Sequence, residues 1–455
     1  TLPMNSKKNR RQFLRESLTL GAGLMFSDRL LASLAGLHFG TGRSAGPGVS
    51  GPAGGRARSV VYIYLDGGSS QTDTFDPKPE AGRDYVGNYR NPIATNVPGI
   101  TIGEKLPRLA QLADRYSLLR GMVVRTNAHE TAHYRMQTGD LTGGSIVYPS
   151  FGSMISYLKE GEYRNPLFPY ITLTAASTRF NEAGFLPPKY KPYDTGGSPG
   201  KEYFDVSGIY DHTVPDSLLL QRKALLEMLA PLGERVESTE EVRLAEKLRA
   251  QNYRLILGDT RRVFDLSEEP EDLRQSYGMT DFGQSCLAAR KLVQAGVLMV
   301  VVRFRGWDTH KEHFKRMDAR LEELDKGVSS LLLDLEKFGL RDRTVVLCGG
   351  EFGRTPRIAW GPPWNGGRGH WGDAFSYLVA GGGFRGGAVV GRTDAKGEQV
   401  VERPVYPADL WASVYSLMGI DPKRTVVHPT RGEIPILPSF GIEGQSGGML
   451  TEIMR

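Results

Sequence analysis

Cysteine is scarce in this chain. Two residues in 455, Cys286 and Cys348, exclude a disulfide scaffold, and both sit inside apolar runs that read as buried free thiols. Long hydrophobic runs are missing too. The modest apolar stretch near the N-terminus is broken by Asp28 and Arg29 and is too short for a stable membrane span. A basic stripe interleaved with aromatics is also lacking, so nucleic acid is not an expected partner although the net charge is +6. The positive excess is spread along the chain and suits an anionic substrate. No internal repeat is found. The glycine-rich loop AGGGFRGG at 380–387 lacks the Lys-Ser/Thr pair of a phosphate-cradling motif and reads as a tight strand connection. What is present is the composition of a globular protein, 40% apolar and 24% charged, long enough for one large α/β domain with insertions or for two domains.

The N-terminal segment NRRQFLRESLTLGAGL pairs Arg10 with Arg11 ahead of Phe13, Leu14 and a short apolar stretch. It resembles a twin-arginine export signal, a receptor-read address for folded proteins. Residues 1–36 are therefore read as a signal region and 37–58, rich in glycine, serine and proline, as a flexible linker. The expectation is a periplasmic or extracellular protein carried by the twin-arginine machinery.

From residue 59 onward strands and helices alternate. Strand patterns at 59–66, 117–124, 168–174, 297–304, 343–349 and 376–381 are separated by helical ones at 104–116, from 129, at 150–159, at 315–338 and from Pro407. Such alternation predicts a mainly parallel sheet flanked by helices on both faces. Residues 216–276 break the rhythm: they are charged, helical in period and without a strand, and read as a helical insertion. The domain expected is thus 59–455 with that insertion.

Acidic residues and histidines recur just beyond the strand patterns. Asp66 closes SVVYIYLD, Asp308 and His310 follow VLMVVVRFRGW, Glu351 follows TVVLCGG, and His370 lies in GGRGHWGD. Ligands gather at the carboxyl ends of parallel strands, so these five residues are candidate metal ligands. Carboxylates mixed with imidazoles suit zinc or manganese, whereas a carboxylate-dominated site would suit calcium or magnesium. Arg354, three residues after Glu351, offers a planar fork for an anionic substrate. Trp307, Trp364 and Trp371 stand beside these candidates as site walls or as the lining of a sugar cleft. Ser70, Gln71, Asp73 and Asp76 follow Asp66 and read as turn residues or substrate contacts.

The ordered motifs LDGGSSQTDTFDPKP, NAHETAHYRMQTG, WDTHKEHF, GEFGRTPRI, GHWGDAFSYLVAGGGFRGGAVVGRTD and PADLWASVYSLMGID closely resemble the domain-of-unknown-function 1501 family. These are twin-arginine-exported relatives of the alkaline phosphatase and sulfatase superfamily, and the resemblance runs from residue 59 to the C-terminus. It implies an alkaline-phosphatase-like core, with Asp66 as the metal ligand ending the first strand. It implies further metal positions at Asp308 and His310 in WDTH, at Glu351 in GEF and at His370, with His313 as a further candidate. Where the superfamily pairs its strand-end acid with a histidine this chain has Phe352, and where the family commonly has aspartate before the late histidine it has Gly369. The nucleophile position falls near His129, Glu130 or Thr131, with no serine or cysteine there.

Residues 129–133, HETAH, also match the zinc-peptidase pattern, in which two histidines share a helix face and the glutamate activates water. No third ligand follows at metzincin spacing. The leading expectation is an exported metal-dependent hydrolase of a phosphate or sulfate ester, either a small anionic ester or a sulfated or phosphorylated glycan. Its metal is held by Asp66, Asp308, His310, Glu351 and His370, with Thr131, His129 and Arg354 as catalytic candidates. A non-catalytic binding or assembly protein with a degenerate metal site is the alternative, and a peptidase acting through HETAH the third.

Overall fold

Eight strands form the central sheet of the computed structural model, which describes residues 55–141, 143–174, 182–234, 257 and 259–455. In chain order they are β1 (Ser59–Asp66), β2 (Tyr116–Met122), β3 (Tyr170–Leu173), β4 (Tyr193–Asp194), β5 (Met299–Arg305), β6 (Thr344–Gly349), β7 (Phe375–Ala380) and β8 (Val389–Val390). Across the sheet the order is β8-β2-β7-β6-β1-β5-β3-β4. Only β7 runs against its neighbours, β2 and β6; every other pairing is parallel. The mainly parallel sheet flanked by helices is therefore the architecture of the chain.

The central strands are apolar because both of their faces are covered. In β1, Val61, Ile63 and Leu65 enter one core while Val60, Tyr62 and Tyr64 enter the other. The strands β5 and β6 divide in the same way, with Val300 and Val346 on the first side and Val301 and Val345 on the second. Helices α5 (Asp281–Gln294) and α6 (His313–Lys337) cover the first face through residues such as Leu287, Leu324 and Leu331. Helices α1 (His129–Thr138), α2 (Phe151–Leu158) and α7 (Pro407–Leu417) cover the second, where Phe151 stacks on Trp411 with ring centroids 3.8 Å apart.

Across 216–276 the described residues form α3 (Asp216–Glu234), 3-10 segments at Asp259–Phe264 and Leu266–Glu268, and α4 (Glu271–Tyr277). The expected signal region and residues 37–54 of the linker lie outside the described residues. Among those described, no helix is long and apolar enough to cross a membrane. The helix expected at 104–116 is shorter than its pattern. Pro107 opens a single turn, Pro107–Ala110, followed by a 3-10 turn at Ala113–Arg115. The Asp325 carboxylate accepts from the amides of Arg108 and Leu109 at 2.9 and 2.8 Å, which fixes that turn where the chain must bend into β2.

Register aligns the strand ends. Asp66 of β1 lies opposite Arg305 of β5, and Tyr64 lies opposite Gly349 of β6. Asp66, Asp308 and Glu351 therefore leave three adjacent strands at nearly one level.

Candidate metal centre

The floor of the site is Glu351, fully buried two residues beyond β6. Its Oε2 accepts from the Tyr64 hydroxyl at 2.9 Å, and the Gly67 amide lies 3.1 and 3.2 Å from its two oxygens. Helix α1 adds two imidazoles, with His129 Nδ1 2.7 Å and His133 Nε2 3.2 Å from Glu351 Oε1. Burial alone would raise the pKa of this carboxyl, but the hydrogen bonds from His129 and His133 outweigh it and hold Glu351 below the ordinary carboxylate range. Tyr64 is pushed well above its usual value by burial and by Glu351, and it stays a protonated donor.

Asp66 stands at the side of this floor. Arg303, across the β1–β5 register, takes its Oδ2 through Nε at 2.8 Å and Nη2 at 2.5 Å, so Oδ1 faces His133 Nε2 at 3.7 Å.

The mouth of the site is wetter. Asp308, with its side chain 44% exposed, lies 3.1 Å through Oδ1 from both His310 Nε2 and His370 Nε2, and 3.5 Å through Oδ2 from His129 Nε2. Burial of its carboxyl raises the pKa, but hydrogen bonds from His129 and Arg354 help to overcome that and hold it well below the ordinary carboxylate range. Hydrogen bonds to Asp308 and Glu351 raise the pKa of His129 to about 9. Burial lowers that of His310, which is therefore neutral at pH 7.

Two groups of ligand atoms result, His129 with His133 and Glu351, and His129 with Asp308 and His370, each with all atoms within 4.8 Å of one another. The chemistry at His370 tests whether a cation fits. Its Nδ1 lies 2.8 Å from the Asn127 carbonyl oxygen, which accepts, so Nδ1 carries the hydrogen and Nε2 presents a lone pair. That lone pair faces Asp308 Oδ1 at 3.1 Å and His310 Nε2 at 2.8 Å, a convergence that only a cation or a proton between them makes favourable. Mixed imidazole and carboxylate donors suit zinc or manganese. The residues present thus fit a divalent metal ion. The third such group, Asp205, Asp211 and His212, lies at the surface, where Asp211 holds Thr213 and Asp205 holds His212.

Arg354 is fully buried, and its three nitrogens are all engaged. Nε donates to Gly68 O at 3.1 Å and Nη1 to Arg368 O at 3.2 Å, while Nη2 reaches Gly67 O and lies 2.5 Å from Asp308 Oδ1. It orients Asp308 and the glycine turn and offers no open fork to a substrate. Gly67 has φ +114°, and a Cβ there would come within 2.4 Å of the Asp308 backbone nitrogen, so the turn can close only on glycine.

Other expected residues fall elsewhere. Thr131 is exposed and, two residues on from His129, turns about 200° around α1 from the histidine face. Glu130, the acid that peptidase chemistry needs beside the histidines, is exposed as well. His313 lies 2.8 Å from buried Asp73 and 2.6 Å from Thr309 Oγ1, and Arg368 closes on the same aspartate at 2.8 Å. Phe352 stacks on His370 with centroids 4.6 Å apart and forms a wall. Trp307 is buried against Phe304. His133, Tyr64, Arg303 and Asn127 are absent from the expected set. The i, i+4 histidine spacing of HETAH signalled His133; nothing in the sequence signalled the other three.

The family described as "Protein of unknown function (DUF1501)" matches residues 57–437. No curated protein matches the chain. Among solved structures the chain is similar to Ps i-CgsB, at 14% identity and TM-score 0.39 over 80% of this chain and 72% of that one. It is similar to a protein in the alkaline phosphatase superfamily from Vibrio parahaemolyticus, at 11% identity and TM-score 0.34 over 84% and 72%. It is similar also to the C-terminal periplasmic domain of EcEptC from Escherichia coli in complex with Zn, at 11% identity and TM-score 0.37 over 88% and 98%.

Proposed function

The chain belongs to the DUF1501 family, and for this member we propose a metal-dependent hydrolase of phosphate or sulfate esters. The observation that carries the proposal is the convergence of His129, His133, Asp308, Glu351 and His370 into two cation-sized groups sharing His129. His129, His133 and Glu351, with Asp66 alongside, would hold the inner ion; Asp308 and His370, with His310 alongside, would hold the outer one. A bound divalent ion neutralises a phosphoryl or sulfuryl oxygen and acidifies water.

The chain's own residues prepare the site for that chemistry. Tyr64 and the Gly67 amide fix Glu351, Arg303 fixes Asp66, and Arg354 fixes Asp308, so the donors need no reorganisation to bind. The Asn127 carbonyl sets the His370 tautomer. Phe352 packs against the rings of His129 and His370, with centroids 4.9 and 4.6 Å away. Among the described residues, Tyr64, Arg303 and Arg354 bond to the cluster and no serine or cysteine is seen to, which favours water over a side chain as nucleophile. We further propose export through the twin-arginine pathway, from Arg10 and Arg11.

A second reading, a binding protein that keeps its metal for structure, draws on the same lack of a side-chain nucleophile. Turnover of 4-nitrophenyl phosphate and 4-nitrophenyl sulfate separates the two. Hydrolysis that stops on chelation, returns with zinc or manganese and is lost in a folded Glu351→Ala variant supports the enzyme. Chelation that unfolds a protein inert toward both esters supports the binding protein.

A further inference from the structure

Beside the cluster opens a cleft of about 520 Å³, a volume ordinary for small-molecule sites. His310 belongs to both, lining the cleft while its Nε2 lies 2.8 Å from that of His370. A group held at the outer ligand atoms would have this space beside it. Two indoles line it. Trp364 is 43% exposed, so part of its indole is open to a ligand. Its loop is pinned by the Trp364 amide donating to Gly361 O and by the Glu312 amide donating to Trp364 O, both at 3.0 Å. Trp371 is half-buried, and its Nε1 donates to the Glu398 carbonyl at 2.7 Å, which fixes the ring. Arg357, exposed and 3.9 Å from Asp84, and Glu398, whose carboxylate accepts from the Tyr85 hydroxyl at 2.9 Å, place charges of opposite sign on the same walls.

We propose that this cleft binds the sugar ring of a carbohydrate phosphate or sulfate ester. This deepens the hydrolase reading and rests on it for the ester group alone. A pyranose has an apolar C–H face that stacks on indole and a rim of hydroxyls that bond to a guanidinium and a carboxylate. Inorganic anions leave both indoles unused. An alkyl chain would lie against Arg357 and the Glu398 carboxylate without offering either a polar partner. The Trp371 ring is held before binding by its bond to the Glu398 carbonyl, so it loses little side-chain entropy on association.

The test is calorimetric titration of the full chain, its metal content measured in parallel, with four probes: glucose 6-phosphate, glucosamine 6-sulfate, methyl glucoside and the ring-free ethyl phosphate. Adenosine monophosphate serves as a flat-ring control. The sugar esters should bind at least about tenfold more tightly than ethyl phosphate, and Trp364→Ala should erase that advantage while leaving metal content and fold unchanged. Trp371→Ala should weaken them also. Equal binding of ring-bearing and ring-free esters, or sugar binding that survives Trp364→Ala, overturns the proposal. So does Trp364-dependent binding of the nucleotide without the sugars, or the failure of every sugar probe to bind. If no metal is bound and no ester is turned over, Trp364-dependent binding of methyl glucoside still upholds the cleft, so the two readings can fail separately.

Discussion

Replacing Glu351 by glutamine removes one charge at nearly constant shape and bears on the whole arrangement of the site. The native carboxylate is fully buried and is approached by the Tyr64 hydroxyl, the Gly67 amide, His129 Nδ1 and His133 Nε2. A glutamine amide nitrogen is itself a donor, so it must confront at least one of those groups and leave it without an acceptor. One orphaned buried donor costs about 1–3 kcal/mol, and breaking a buried charge pair about 3–5 kcal/mol. Because His129 can shed its proton once the carboxylate is gone, the larger range is an upper guide. The metal-free variant should lose about 3 kcal/mol, a large part of the ~5–15 kcal/mol that holds a typical domain. Urea unfolding followed by circular dichroism measures the loss. Repeated with zinc at a hundredfold excess over its dissociation constant, it should stabilise the wild type by about 2.7 kcal/mol and the variant by almost nothing. A variant as stable as the wild type, or one that gains as much from zinc, would refute the placing of Glu351 at the centre of both the hydrogen-bond network and the ligand set.

Arg354→Lys keeps the charge but loses the fork that grips the Gly67, Gly68 and Arg368 carbonyls. It should cost about 3 kcal/mol in urea unfolding and reduce bound metal, whereas an anion-gripping role would leave metal content untouched. Burial pushes the Asp73 carboxyl up, but Arg368 and His313 outweigh it and bring its pKa from 3.8 down to about 2. This group therefore adds stability above about pH 4 that is lost as pH falls toward 2. Asp73→Asn should remove about 2 kcal/mol of that acid-sensitive stability, so that its unfolding free energy falls less steeply than the wild type's across the window. Cys286 and Cys348 are buried thiols whose pKa values burial drives far up; they should not react with a thiol reagent at pH 8 until the protein unfolds, and fast labelling of either would contradict the packing.

Apolar runs and strand-end acids made the sheet and much of the site legible in the sequence. The pattern of β1, β5 and β6 fixed where Asp66, Asp308 and Glu351 emerge, because a parallel strand buried on both faces reads as a continuous apolar run. Contacts across the sheet were not legible. Arg303 reaches Asp66 only through the β1–β5 register, and Tyr64 reaches Glu351 only because β1 and β6 are neighbours. Short pairings such as β4 and β8, two residues each, carry no periodicity to detect. The segment 104–116 has helical spacing but ends after one turn, because Pro107 and the Asp325 carboxylate set its start and the chain must enter β2. The HETAH spacing did show that two histidines share a helix face: both approach Glu351, which comes from beyond β6, whereas Glu130 is exposed.

Metal content is the direct test of the two ligand groups. Elemental mass spectrometry on wild type, His133→Ala and His370→Ala, each purified and then equilibrated with zinc or manganese, reads both ligand groups at once. About one or two equivalents are expected in the wild type and a loss in each variant, with circular dichroism showing all three folded. No bound metal in the folded wild type, or full metal content in both variants, would contradict that expectation.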